Sequence, residues 1–330
     1  MIDFLLVTFD EAVKLLDKSP AELFRQRGEA AYLELAGVLH PDRSNVKEPF
    51  QRLQALWENW QDSLKRTLTT PLGVKYTLGE PIRGSVANLY PAQDNLVKIV
   101  RSPRNSDLLE SEAKVLKLLE KGDPAPNFKH FYPHLIETFV QKDPTTHKLR
   151  RTNVLTKLEE GFCTLAEVHD AYPNLHPKDA AWMMRRLMFA LGGTSRCGVV
   201  HGAVLPENVM IHPEKHGLAL VGWSYAVPEG QKLKAIVSSR EAFYPEDRTA
   251  DYSLDIYMAW RLASWLMGSV DINNLDAPRP LRSFVKGCTL ERRTARPQDA
   301  WKILDEFNEL VEILWGPRKF RPFVMPAKGK

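Results

Sequence analysis

Hydrophobic spacing changes character once along this chain. Up to about residue 68 the apolar positions recur every three to four residues, as in helices, and after Thr70-Pro71 short runs of strand type appear. A chain that switches period in this way has two differently built cores to bury. The expected fold class is therefore α+β, with a small all-helical domain (1–68), a larger mixed domain (69–316) and a tail (317–330). With 330 residues, 44% of them hydrophobic, there is apolar material for one large core and a satellite.

Composition excludes several classes. No window approaches the roughly eighteen consecutive apolar residues of a membrane span, so no membrane partner is expected. The opening run Met1–Val7 carries Asp3 where a signal peptide has basic residues. Cys163, Cys197 and Cys288 are odd in number and far apart, which suits neither a disulfide framework nor a metal site and fits a reducing, cytoplasmic setting. The net charge of +4 is mild and the cations are dispersed, so no nucleic-acid partner is expected. The tail concentrates Arg318, Lys319, Arg321, Lys328 and Lys330 among Pro317, Pro322 and Pro326; it reads as a solvated, partly ordered terminus, with docking on an acidic surface as the alternative.

In the first domain Ser19, Pro20 and Glu22 make a capping box with proline at the first helical position, so a helix is expected from Pro20. Phe24, Ala31, Leu35 and Val38 form its apolar face, and Gly37 with His40-Pro41-Asp42 ends it. A return helix over about 47–64 carries Phe50, Leu53, Leu56, Trp57 and Trp60, the two tryptophans reading as packing residues. This helix pair, with His40-Pro41-Asp42 at its turn and Tyr32 eight residues earlier, resembles the J-domain of co-chaperones. The resemblance implies an ATPase chaperone as partner, contacted through His40, Pro41, Asp42 and Arg43. In that family the helix before the tripeptide presents Lys or Arg; here Ala30, Leu33, Glu34 and Val38 stand instead, so little charge steering is expected. Without the resemblance, His40 reads as a helix cap, Pro41 as a loop stiffener and Asp42 as an acceptor for backbone N–H groups.

In the larger domain, Leu96-Val97-Lys98-Ile99-Val100 reads as a strand with a central lysine, and 108–119 as a helix bearing Glu112, with Glu110 the alternative acid if the register differs. Asn153 to Leu158 reads as a buried strand, and 180–191 as a core helix with the basic pair Arg185 and Arg186. His201-Gly202-Ala203-Val204-Leu205-Pro206-Glu207-Asn208 precedes a further strand, and Gly222-Trp223-Ser224 follows the next one. His212 and His216 frame the turn between those strands and read as surface-loop residues.

Together these segments, from about Leu72 to Leu314, resemble a bilobal serine/threonine protein kinase fold. The resemblance makes Gly79-Glu80-Pro81-Ile82-Arg83-Gly84-Ser85-Val86 the glycine-rich loop, with Pro81 removing an amide. It implies nucleotide contacts at Gly79, Gly84, Val86, Lys98, Glu112 and Asn208, and structural roles for His201, Glu246, Asp255 and Arg296, with Glu246 and Arg296 paired. It also marks two losses: Ala203 stands at the catalytic aspartate, and Gly222 at the aspartate that would hold magnesium. No catalytic residue and no firm metal site then remain, although a carboxylate such as Asp251 or Glu246 entering the cleft would compensate. The implied function is a pseudokinase scaffold with a J-like module. It would act in recruiting a chaperone or an unknown protein client, with weak ATP binding that need not require magnesium. An unorthodox ATP-dependent phosphotransferase and a purely structural assembly protein are the alternatives, because fold likeness alone does not select among them.

Overall fold

The computed structural model describes residues 7–65, 67–122, 128–143, 146–269 and 271–326. Met1 to Leu6 of the opening run, and Lys328 and Lys330 of the tail, lie outside the described residues. The fold is mixed α+β with several antiparallel sheets. It divides into two compact units, residues 1–81 with 90–93, and residues 82–89 with 94–330. The division falls at Pro81, so the two-stranded hairpin Thr67–Thr69 and Lys75–Thr77 goes with the helices.

The first unit packs helices Phe9–Leu15, Pro20–Phe24, Glu29–Leu39, Pro41–Ser44 and Glu48–Lys65. Ser19 and Glu22 form the capping box that the sequence suggests, with Ser19 N–H donating to Glu22 Oε2 at 2.9 Å. The single helix expected from Pro20 is two. The chain leaves the first after Phe24 and starts the second at Glu29, because Gly28 sits at φ +53°, a left-handed conformation that an α-helix cannot continue through. Ala31, Leu35 and Leu39 are buried where the simple spacing had placed Val38, which is only half-buried.

Ring contacts define how the long helices meet. Phe24 lies edge-on to Trp57 at 5.1 Å, Tyr32 stacks on Trp57 at 4.9 Å, and His40 lies edge-on to Phe50 at 5.2 Å. Residues rising in one helix thus meet residues falling in the other, an antiparallel pair whose contacts are aromatic. Trp57 and Trp60 are interhelical packing residues, Trp60 approaching Phe24 at 6.4 Å.

A five-stranded sheet runs in the order Ile82–Arg83, Ala87–Ala92, Asn95–Val100, Leu149–Thr156, Leu135–Lys142, and all of it except residues 90–92 belongs to the second unit. The Asn95–Val100 strand, the central one, pairs antiparallel with Leu149–Thr156 in a register that sets Lys98 opposite Asn153. Directly opposed residues share a face, so both reach toward the helix Ser106–Lys121. The rest is mainly helical, built on Pro177–Arg196, Tyr252–Leu266, Arg279–Cys288 and Ala300–Trp315 around one apolar core. Among the described residues no helix is long and apolar enough to cross a membrane.

One expectation changes here and another is refined. His212 and His216 are buried: His212 packs edge-on to Phe162, and His216 is stacked between Trp182 at 4.0 Å and Phe320 at 4.4 Å. They stand at either end of the turn of a tight hairpin, Val209–His212 with Gly217–Leu220, and aromatic side chains cover them in place of water. The described tail is exposed over most of its length, as expected, yet it is anchored at particular points. Phe323 is buried, the Tyr172 hydroxyl donates to the Val324 carbonyl at 2.7 Å, and Arg321 Nε meets Asp179 at 2.6 Å. Two phenylalanines and one buried acid supply the anchorage that a charge count misses.

Candidate functional site

The site is assembled around Lys98. Its side chain is largely withdrawn from water; Lys98 is 6% exposed and Glu112 0%. Lys98 Nζ donates to Glu112 Oε1 at 2.6 Å and to Ser224 Oγ at 2.8 Å. Asn153 Nδ2 donates to Glu112 Oε2 at 2.9 Å and also to the Leu109 carbonyl at 2.9 Å. Thr138 Oγ1 in turn holds Asn153 Oδ1 at 2.7 Å. Glu110 points away and pairs with Lys114 on the exposed side of the same helix, so Glu112 is the partner acid. A buried ion pair persists only when its remaining donors and acceptors are met, and here Asn153 and Ser224 meet them.

The segment 201–208 is held from behind. Asp255 accepts the His201 N–H at 2.7 Å and the Gly202 N–H at 2.8 Å, one on each oxygen. Burial pushes its carboxyl up to about 7, against the two amides that favour the charged form. The His201 ring accepts the Ala203 N–H on Nδ1 and faces the Val221 carbonyl with Nε2 at 3.0 Å, which sets the proton on Nε2. Trp223 lies edge-on to it at 4.5 Å. Full burial drives the His201 imidazole down to about 4 despite the Val221 carbonyl, and the nearby Lys98 charge adds to that.

What faces this loop cannot move a proton. Ala203, Val204 and Leu205 are fully buried and apolar. Asn208 spends its amide on the Ala203 carbonyl, Nδ2 donating at 3.0 Å. Gly222 has φ +78°, and a Cβ built there would stand 2.3 Å from Asn208 Oδ1. The Asn208 side chain therefore fills the room a carboxylate at 222 would need, and a metal clamp across these two positions does not fit. Among the described residues no group of three or more His, Cys, Asp or Glu is placed to hold a metal ion.

Of the other residues singled out in the sequence, Gly84 and Val86 lie at the turn between Ile82–Arg83 and Ala87–Ala92. The Gly84 N–H is taken by the Ala87 carbonyl at 3.0 Å, and the Val86 carbonyl accepts from Arg101 N–H at 3.0 Å. Gly79, in the first unit, gives its N–H to the Pro91 carbonyl at 2.8 Å. Both glycine amides are thus engaged by backbone. Ser85 Oγ accepts from the Tyr225 hydroxyl at 3.1 Å, which ties the turn to the segment after Gly222.

The expected Glu246–Arg296 pair is not made. Arg296 is buried and pairs with Asp247, donates through Nε to the Leu290 carbonyl at 2.6 Å, and lies over the Tyr257 ring at 5.1 Å. Pro245 is buried, so the next residue, Glu246, emerges into solvent and the one after it turns back. Asp251 does not enter the cleft; it caps the Tyr252–Leu266 helix through Ser253 N–H at 3.0 Å and binds Arg293 at 2.6 Å.

In the first unit His40 Nδ1 accepts the Asp42 N–H at 3.3 Å and so caps Pro41–Ser44, while Arg43 Nη1 donates to the Gly37 carbonyl at 3.0 Å. The Asp42 carboxylate is 88% exposed. Glu34, whose sign opposes chaperone contact, is neutralised by Arg27 in a two-pronged pair at 2.5 and 2.9 Å.

Sequence reasoning passed over Ser224, Asn153 and Thr138. Asn153 carried a signal, since a lone amide within a buried apolar strand needs a polar partner. No protein-family model matches the chain.

Two outcomes follow from this geometry. Removing Lys98 strands a buried carboxylate, so Lys98→Ala lowers stability by about 3–5 kcal/mol with no ligand present, and Lys98→Met with Glu112→Gln recovers part of it. Urea titration of the three proteins reads this out; an unchanged midpoint for Lys98→Ala would refute a structural pair. His201 and Asp255 act on pH in opposite senses. The unfolded chain takes a proton on histidine near 6.5 that the folded one refuses until about 4, so stability from His201 is lost as pH falls through that window. The cost of ionised Asp255 is present above about 7 and is relieved as pH falls toward 3.8. Imidazole NMR should show His201 neutral, with the proton on Nε2, at pH 5.

Proposed function

We propose that the larger unit is a kinase-like scaffold that no longer transfers phosphate, and that with its J-like helical unit it serves protein recruitment. One observation carries the first part: where the resemblance calls for a base and a metal carboxylate, the chain has buried Ala203 and a Gly222 whose side-chain space is filled by Asn208. Alanine accepts no proton, and phosphoryl transfer depends on positioning and charge that these positions no longer supply. The loss of one such donor typically costs about 3 kcal/mol, so the two together suppress turnover by several orders of magnitude.

Nucleotide binding in the same cleft is compatible with Lys98, which keeps one of its three N–H donors beyond Glu112 and Ser224. Engaged loop amides and a missing metal ligand make the affinity modest, between about 10 μM and about 1 mM. ATP at millimolar concentration should raise the thermal midpoint with or without magnesium, and no phosphate should be transferred. A shift that strictly requires magnesium, or transfer abolished by Lys98→Met, would favour an active phosphotransferase instead. No shift at all would favour a purely structural unit.

Chaperone coupling through His40, Pro41, Asp42 and Arg43 is supported by the exposed Asp42 carboxylate and weakened by the lack of a basic face beside exposed Leu33. Stimulation of an ATPase chaperone should therefore be far below that of an ordinary J-domain. Strong stimulation that His40→Gln abolishes would overturn the weak-coupling claim.

A further inference from the structure

A cavity of about 560 Å³ lies between the Pro177–Arg196 helix and the chain that follows Trp315. Lys178, Trp182 and Arg185 recur on one face of that helix at i, i+4 and i+7, and Arg318 and Lys319 come from the other wall. The cavity has no carboxylate in its lining.

Its donors exceed its acceptors. Arg185 Nε, the neighbouring Arg186 Nε and the Trp182 indole N–H are all covered by protein and have no hydrogen-bond partner among the described residues. His216, 9% exposed and lining the same cavity, has Nε2 likewise unpartnered. The acids nearby do not relieve this. Asp179 is taken by Arg321, and exposed Glu312 reaches Arg185 only through space. Arg185 and Arg186 are both held below the usual guanidinium value, by burial first and then by the like charge of Arg318. Covered donors and crowded cations with so little counter-charge are costly, and a bound anion would relieve that cost.

We propose that this cavity is a binding site for a small, multiply charged phosphate compound, a polyphosphate or phosphate ester, held by Arg185, Arg318 and Lys319. Guanidinium groups match phosphate oxygens in pairs of parallel hydrogen bonds, and a multiply charged phosphate can answer several of these cations at once. The volume falls within the roughly 300–1,000 Å³ range of small-ligand sites, and Trp182, Trp315 and Phe320 add apolar surface to its lining. The site is separate from Lys98 and stands whether or not nucleotide binds there.

The test is calorimetric titration of the full chain with tripolyphosphate at low salt, with sodium sulfate at matched ionic strength as the reference. Saturable binding is expected, weakened about tenfold or more by Arg318→Gln, an exposed position that leaves folding intact, and further by Arg185→Gln. Arg292→Gln, a cation outside the cavity, should leave it unchanged. No saturable binding, binding that sulfate reproduces equally, or loss with Lys98→Met but not Arg318→Gln would overturn the proposal. So would capture by anionic phospholipid vesicles with no response to tripolyphosphate, since that is a surface and not a cavity.

Discussion

The Lys98–Glu112 ion pair holds four separate stretches of chain to one point: the central strand, the Ser106–Lys121 helix, the Leu149–Thr156 strand through Asn153, and the segment after Gly222 through Ser224. Two charges withdrawn from water cost several kcal/mol each, and their attraction offsets this only while every remaining donor and acceptor is met. The helix must therefore keep one rotation and one distance from the sheet. The hydrogen bond from Ser111 Oγ to the Ala226 carbonyl at 3.2 Å reinforces the same placement from the residue next to Glu112.

A second constraint works on backbone. The chain at 201–203 passes through the core, where an unmet N–H is costly, and Asp255 and His201 supply acceptors for three successive amides. That requirement is independent of chemistry. It holds the segment 201–208 in place whatever residues stand at 203 and 222. Asn208 adds to the same hold: its amide closes on the Ala203 carbonyl and its oxygen occupies the space beside Gly222.

The described tail is part of the same structure. Phe320 packs on one side of the His216 ring and Phe323 is buried near Tyr172 and Trp182; Arg321 between them binds Asp179, and Arg318 and Lys319 just before Phe320 line the cavity. Concentrating cations on a rigid wall, with the one buried acid already bound to Arg321, leaves a positive field that free chain ends lack.

Local pattern was enough to read the α+β class, the switch of period near residue 70, the capping box at Ser19, the lysine strand and the acid-bearing helix, because spacing and caps depend on neighbours within a few residues. That Ala203 and Gly222 carry no acid or base was equally plain, since a side chain's functional groups are a property of the residue itself. Sequence left Glu112 and Glu110 open, chose Glu246 over Asp247 for Arg296, ran one helix through Gly28, and left His216 at the surface and the tail unanchored. Each of these turned on how segments far apart in the chain approach one another. A helix's rotation against a sheet, the direction a loop takes after a buried proline, and which aromatic ring covers which histidine are decided by long-range packing and by the need to satisfy buried polar groups, and only the tertiary structure carries that information.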